Sequence, residues 1–261
     1  MGHNLAVVNQ KGGVGKTTTA VNLAACLAVT ERRTLLVDID PQSNATTGVG
    51  VDYKTIEYSI YDVLVEDSPI NHARSLTELS FLELVPSHFD LVGAEVELVS
   101  LSERELRLRR ALVKVESQYD FILIDCPPSL GFLTLNALVA ADGVLIPLQC
   151  EYYALEGLAH LLKTIERVRE RLNPGLEIDG VVLTMFDGRT TLANQVKSEV
   201  ERYLGDRLFK TMIPRSVRLS EAPSHGKPII LYDIRSVGAV AYLELAREVI
   251  QRATARVRQR A

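Results

Sequence analysis

Two lysines five positions apart, Lys11 and Lys16, stand in the stretch NQKGGVGKTTTA (residues 9–20), where binding a phosphate requires only one. Gly12, Gly13, Val14 and Gly15 let consecutive backbone N–H groups converge on phosphate oxygens. A helix starting at Lys16 adds its partial positive charge, Lys16 reaches the terminal phosphates, and Thr17 offers a hydroxyl to Mg²⁺. The strict pattern GxxxxGK[ST] is not met, because Gln10 stands at its first glycine, and the dinucleotide pattern GxGxxG fails at Thr18. Two further segments deliver acids. FILID (121–125) carries Asp125 to the end of an apolar run, the arrangement that holds Mg²⁺ beside a nucleotide. TLLVDID (34–40) carries Asp38 and Asp40, which a period of two points to the same side, so that one can sit near the metal and the other can orient water. Three acids converging on one phosphate loop are the equipment of nucleotide hydrolysis.

Such residues need strands that end where the chemistry occurs. Short β-branched runs predict strands at Leu5 to Val8, Thr34 to Asp38, Phe81 to Val85, Phe121 to Asp125, Gly143 to Leu148, Gly180 to Met185 and Leu208 to Ile213. Apolar residues spaced by three and four predict helices at Lys16 to Val29, Ser102 to Ser117, Leu130 to Ala141, Leu155 to Leu172, Thr191 to Leu204 and Gly238 to Arg258. This alternation is that of an α/β fold, a doubly wound, mostly parallel sheet with helices on both faces. Ligands of such sheets lie beyond the carboxyl ends of the strands, which directs attention to the residues after Val8, Asp38, Asp125, Met185 and Ile213.

A length of 261 residues with 47% hydrophobic content suits one globular domain spanning 1–261. No run of 18 apolar residues and no leader are present, so the chain is expected to be cytoplasmic, with no membrane partner. Cys26, Cys126 and Cys150 form no CxxC pair, which argues against a disulfide framework, zinc or an iron–sulfur cluster. The net charge of −4 hides an asymmetry: residues 207–261 hold eleven Lys and Arg against four Asp and Glu. A nucleic-acid face and a solvated basic helix both account for that bias.

The segments KGGVGKTTTAVNLA, LLVDIDPQSNAT, DCPPSLGFLTLNAL, EYYALEGL and IPRSVRLSEAP together resemble the deviant-Walker ATPases, and within them the ParA/Soj chromosome-partitioning proteins, over Leu5 to about Ile250. The resemblance implies a doubly wound P-loop fold. It also implies weak, partner-stimulated ATP hydrolysis coupled to dimerisation, non-specific binding of double-stranded DNA, and segregation with a ParB-like partner at the nucleoid. Lys11 matches the signature lysine that crosses a nucleotide sandwich dimer to the other subunit's ATP, with Gly12 at the tight subunit contact. By the same match Asp40 positions the attacking water, Thr17, Asp38 and Asp125 serve Mg²⁺, and Thr18 helps hold phosphate. The adenine is expected near Met185 and the Pro214 to Val217 loop, where Ser216 stands in place of the asparagine frequent in relatives.

Relatives with other tasks are separated by what they carry. Long plasmid partition ATPases have a helix-turn-helix ahead of the phosphate loop, whereas here that loop begins at residue 11. Septum-positioning relatives end in an amphipathic membrane helix, but in residues 251–261 the largest apolar residue is one valine, Val257. Iron-protein relatives need paired cysteines. DNA contacts are expected at Arg189, Arg218, Lys227 and Arg247, which match basic positions of relatives. The other reading is a positioning ATPase of the same type whose cargo is a protein assembly.

Overall fold

The computed structural model describes residues 2–260 and the side chains of residues 2–256. Seven strands form one sheet: β1 (His3–Val7), β2 (Thr34–Asp38), β3 (Ser75–Leu76), β4 (Leu82–Val85), β5 (Phe121–Asp125), β6 (Gly143–Gln149) and β7 (Glu177–Thr184). Their order is β3-β4-β2-β5-β1-β6-β7, parallel throughout except for the short antiparallel edge strand β3. The strands β2 and β5 are buried at every position, which is why they read as unbroken apolar runs instead of alternating ones.

Successive side chains along each strand enter different cores. Ala6, Leu35, Val37, Ile122 and Ile124 face a cluster completed by Leu133, Ala137 and Leu158 from helices Phe132–Ala140 and Ala154–Arg171. Leu5, Val7, Leu36 and Leu123 face the other, completed by Leu23 and Leu27 of α1 (Lys16–Val29) and by Tyr242 and Leu245 of the C-terminal helix Val237–Arg260. The helix α1 is apolar around most of its circumference because sheet and C-terminal helix cover it from two sides; Thr19 Oγ1 and Tyr242 OH meet at 3.2 Å in that seam. Farther along, Arg252 donates to the carbonyls of Asp179 (2.8 Å) and Leu208 (3.0 Å) and lies 3.9 Å over the Phe209 ring, fastening the C-terminal helix to the sheet.

Two predicted elements come out differently. Leu208 to Ile213 does not form a strand; it touches the sheet through Phe209 N–H to Val181 O and Ile213 N–H to Leu183 O. The Glu248 carboxylate takes the N–H groups of Lys210 and Thr211, so the C-terminal helix satisfies donors that a neighbouring strand would otherwise have used. The helix expected over Ser102 to Ser117 is confined to Arg107–Val113, with a 3-10 turn at Glu116–Gln118. Glu103 adopts φ 50°, a left-handed conformation that ends helical continuation. Short helices at Asn44–Gly48, Ile60–Leu64 and Leu91–Glu97 fall below the length at which periodicity registers. Among the described residues no helix is long and apolar enough to cross a membrane; the side chains of residues 257–261, on which the tail reading partly rests, lie outside them.

Candidate active site

Strand order assembles the site. β5 lies between β2 and β1, with Asp38 in register with Asp125 and Asp125 in register with Val7, so two carboxylates and the exit of β1 share one corner of the sheet. The chain between β1 and α1 turns over that corner. Gly13 (φ 75°) and Gly15 (φ 86°) take left-handed conformations that would strain any residue bearing a Cβ. The turn is held from below by Thr184 Oγ1, which donates to Val14 O at 2.8 Å, and at its entry by Asn9, whose amide donates to Pro147 O at 2.7 Å and accepts from Lys11 N–H at 3.0 Å.

A cavity of about 470 Å³ opens above the turn. Its lining includes Gly13, Gly15, Lys16, Thr17, Thr18 and Asp40, together with Met185, Pro214 and Ser216, near which the adenine is expected. Met185 itself sits at φ 48°, an uncommon conformation for a side-chain-bearing residue and one that turns the backbone sharply as β7 ends. Gly12 and Lys11 are exposed beside the cavity, with nothing within 4 Å of the place a Cβ on Gly12 would take. The Lys11 ammonium is paired with Glu151, and the buried Lys16 ammonium donates to Lys11 O at 3.1 Å. The two lysines therefore have different surroundings: one is a cation of the cavity wall, the other a surface cation held by an acid.

Burial lowers the affinity of Lys16 for its proton, while the charges of Asp125 and Asp40 oppose that fall. The acids are driven the other way. Burial raises the Asp38 pKa to about 7 against the hydrogen bonds it accepts from Thr46 Oγ1 and N–H (both 2.8 Å) and Asp40 N–H (3.1 Å). Asp125 is raised well above the ordinary carboxylate range by burial and then by the charge of Asp38. Both Asp125 carboxylate oxygens are buried, and among the described residues no well-formed hydrogen bond reaches them, although the Thr17 hydroxyl beside them works to lower the Asp125 pKa. Carboxylate oxygens so poorly satisfied at such a place fit a divalent cation. Among the described residues no three His, Cys, Asp or Glu cluster as a self-sufficient metal cage. Two carboxylates and the Thr17 hydroxyl, completed by phosphate and water oxygens, are the donor set that Mg²⁺ accepts.

The acid pair has a measurable pH signature. Asp38 has a folded pKa above its unfolded one, so its contribution to stability is fully present below about pH 4 and is lost as the pH rises toward 7. Relative to the parent, Asp38→Asn is expected to gain stability over that window in metal-free buffer, by about 1.4 kcal/mol for each pH unit climbed between the unfolded and folded pKa values. Parallel urea melts at several pH values check this; a difference that does not change with pH would refute it.

Three of the four basic residues expected to touch DNA are already paired with acids. Arg189 forms a two-pronged pair with Asp187 (2.7 and 2.8 Å), Arg218 pairs with Glu221 (3.0 Å) and Asp233 (3.6 Å), and Lys227 pairs with Glu78 (3.7 Å). Arg247 is exposed on the C-terminal helix. Sequence reasoning assigns no role to Thr46, Ser87, Glu95, Glu151 or Thr184. Thr46 and Glu151 lie inside the LLVDIDPQSNAT and EYYALEGL segments, whereas Ser87 and Glu95 carry no local signal.

A protein family described as AAA domain matches residues 2–178. The sporulation initiation inhibitor protein Soj of Bacillus subtilis is 58% identical over 249 residues, covering 95% of this chain and 98% of that protein. The chromosome partitioning protein ParA of Myxococcus xanthus is 58% identical over 254 residues, covering 97% and 90%. Among solved structures, cobyrinic acid a,c-diamide synthase from Mycobacterium smegmatis with bound ADP and magnesium superposes with a TM-score of 0.85 at 39% identity, covering 97% of this chain and 96% of that one.

Proposed function

Because the chain belongs to the ParA/Soj family of chromosome-partitioning ATPases, we propose that it works as a single ATPase domain that dimerises around ATP, binds double-stranded DNA without regard to sequence in that state, and segregates chromosome or plasmid with a ParB-like partner at the nucleoid. The observation that carries the reading is the pair of lysines in unlike settings: Lys16 buried in the cavity wall and Lys11 exposed outside it.

In this reading Lys16 and the N–H groups around Gly13 and Gly15 hold the β and γ phosphates, and Thr18 adds a hydroxyl. Asp125, Asp38 and Thr17 would hold Mg²⁺, which draws charge from the phosphate oxygens when bound. Asp40, on the cavity wall, orients the attacking water. Lys11 leaves Glu151 and crosses to the nucleotide of the second subunit. Its interaction with that nucleotide exists only when two chains meet, so nucleotide binding and dimerisation become linked. Gly12 leaves room for the second chain's approach.

Dimerisation places two copies of Arg189, Arg218, Lys227 and Arg247 on one DNA, multiplying weak phosphate contacts. Each paired cation must exchange a carboxylate for a phosphate, which favours binding where several exchanges occur together. Binding of random-sequence duplex is expected to require ATP and to weaken steeply with salt. Arg218→Ala should flatten the log–log salt slope by about 0.9 for each phosphate no longer neutralised, or about two per symmetric dimer. Fluorescence titrations of ATP-trapped protein with Arg189→Ala and Arg218→Ala test this. Unchanged slopes, or equal binding without nucleotide, favour the second reading, a positioning ATPase for a protein cargo. That reading draws support from the carboxylate partners that three of the four cations already have.

A further inference from the structure

The helix Phe132–Ala140 begins shortly after Asp125 and has no capping side chain of its own, since its N-cap is Gly131. Its first N–H groups are instead capped from another element. Glu95, on the short helix Leu91–Glu97, accepts from Phe132 N–H at 2.8 Å and Leu133 N–H at 3.3 Å. A Cβ on Gly131 would lie 2.2 Å from Glu95 Oε1, so the carboxylate occupies the space that glycine leaves open. The intervening loop reaches the nucleotide cavity through Pro128, and it is folded onto the helix by Thr134 Oγ1, which donates to Ser129 O at 2.6 Å.

The same short segment is tied at its other end to the second acidic loop. Ser87 Oγ donates to Asp40 O at 2.7 Å, and Ser87 N–H donates to Thr46 Oγ1 at 3.0 Å, the hydroxyl that in turn donates to Asp38. Residues 87–95 thus bridge the loop after β2, which bears Asp40, and the loop after β5, which follows Asp125. A segment tied at both ends couples the positions of the two loops across the cavity.

We propose that Glu95 is a positioning residue for ATP hydrolysis: by capping the helix at Phe132 it holds the loop after Asp125 in register with the loop carrying Asp40, through the bridge anchored at Ser87. The proposal rests on the family reading of the site as an ATPase. Glu95 does not line the cavity, so its loss should misplace groups used in the hydrolytic step and leave ground-state phosphate contacts in place.

The test is a double-mutant cycle with Glu95→Ala and Gly131→Ala, together with the isosteric Glu95→Gln, in the full chain. Single-turnover hydrolysis of labelled ATP is the readout, and titration with labelled ATP gives binding. Glu95→Ala should lower the hydrolysis rate about tenfold with ATP affinity unchanged, and Glu95→Gln should lower it less, since one acceptor oxygen survives. Gly131→Ala should lower the rate in the parent, where the new methyl strikes the carboxylate, and have less further effect beside Glu95→Ala, where its three nearest atoms, all of the Glu95 carboxylate, are gone. Additive effects, or a melting-temperature loss with the rate unchanged, would overturn the proposal as a purely structural cap. A parent chain that hydrolyses no ATP would defeat the reading of the site as an ATPase, and the proposal with it, whereas turnover in the parent that is indifferent to Glu95 would defeat only the proposal.

Discussion

Lys16→Ala is expected to abolish measurable ATP binding and, with it, dimerisation, DNA binding and hydrolysis. The Lys16 ammonium is the cation of the cavity wall, 6% exposed, with Asp125 and Asp40 close enough to act on its charge. Without it the phosphates meet Asp38, Asp40 and Asp125 with less positive charge to offset them. Removing two charge-assisted hydrogen bonds at about 1.5–3 kcal/mol each corresponds to roughly a 10²–10⁴-fold weaker complex. Lys11→Ala should behave differently, because Lys11 is exposed, pairs with Glu151 and does not line the cavity. Its nucleotide affinity should stay within a few-fold of the parent while ATP-dependent dimerisation disappears. Titration with labelled ATP, followed by size-exclusion chromatography in ATP, separates the two. Equal loss of affinity in both variants would show that Lys11 acts on its own chain's nucleotide.

Asp40→Ala should give the opposite phenotype, a dimer that persists in ATP because the bound nucleotide is not consumed. Asp40 lines the cavity and is only 6% exposed. Its backbone carbonyl is fixed by Ser87 and its side chain accepts from Gln42 N–H at 3.0 Å, so the carboxylate is held in place. Removing it takes away a group used to orient water, while the contacts from Lys16 and the glycine turn stay, and should slow hydrolysis by about 10²–10⁴-fold. A variant that stays monomeric in ATP would assign Asp40 to nucleotide binding and pass the orientation of water to another residue.

The parts of the site visible in the sequence are those built by local rules. The glycine turn, Lys16 and Thr17 sit within a few residues of one another, and Asp38 and Asp125 end runs of β-branched and aliphatic residues that could be little other than buried strands. The helix Thr191–Leu204 is legible at both ends because Thr190 caps it with its own side chain and a glycine follows it. What stays hidden is set by partners distant in sequence. The segment 208–213 has strand composition but gives two of its N–H groups, those of Lys210 and Thr211, to Glu248, 37 residues and more away. Glu95 and Ser87 look like ordinary surface residues until the fold brings them to Phe132 and Asp40. Nor does local sequence disclose that Arg189, Arg218 and Lys227 stand beside acids: Asp187 and Glu221 are neighbours in the chain, but Glu78 and Asp233 are brought there by folding.

The seam between α1 and the C-terminal helix has a consequence for how the chain is made. The helix that carries Lys16 and Thr17 is among the first elements to leave the ribosome, yet Tyr242 and Leu245, which cover it, come late in the chain, at a separation of about 200 residues. At about 5–20 residues per second, the apolar side of α1 waits about 10–40 s for its cover. During that interval the phosphate turn has its sequence but only part of its support. Nucleotide binding should therefore appear late in synthesis, after Leu245 has emerged. A ribosome-stalled chain ending before Val237 should bind no ATP although every residue of the phosphate loop is present.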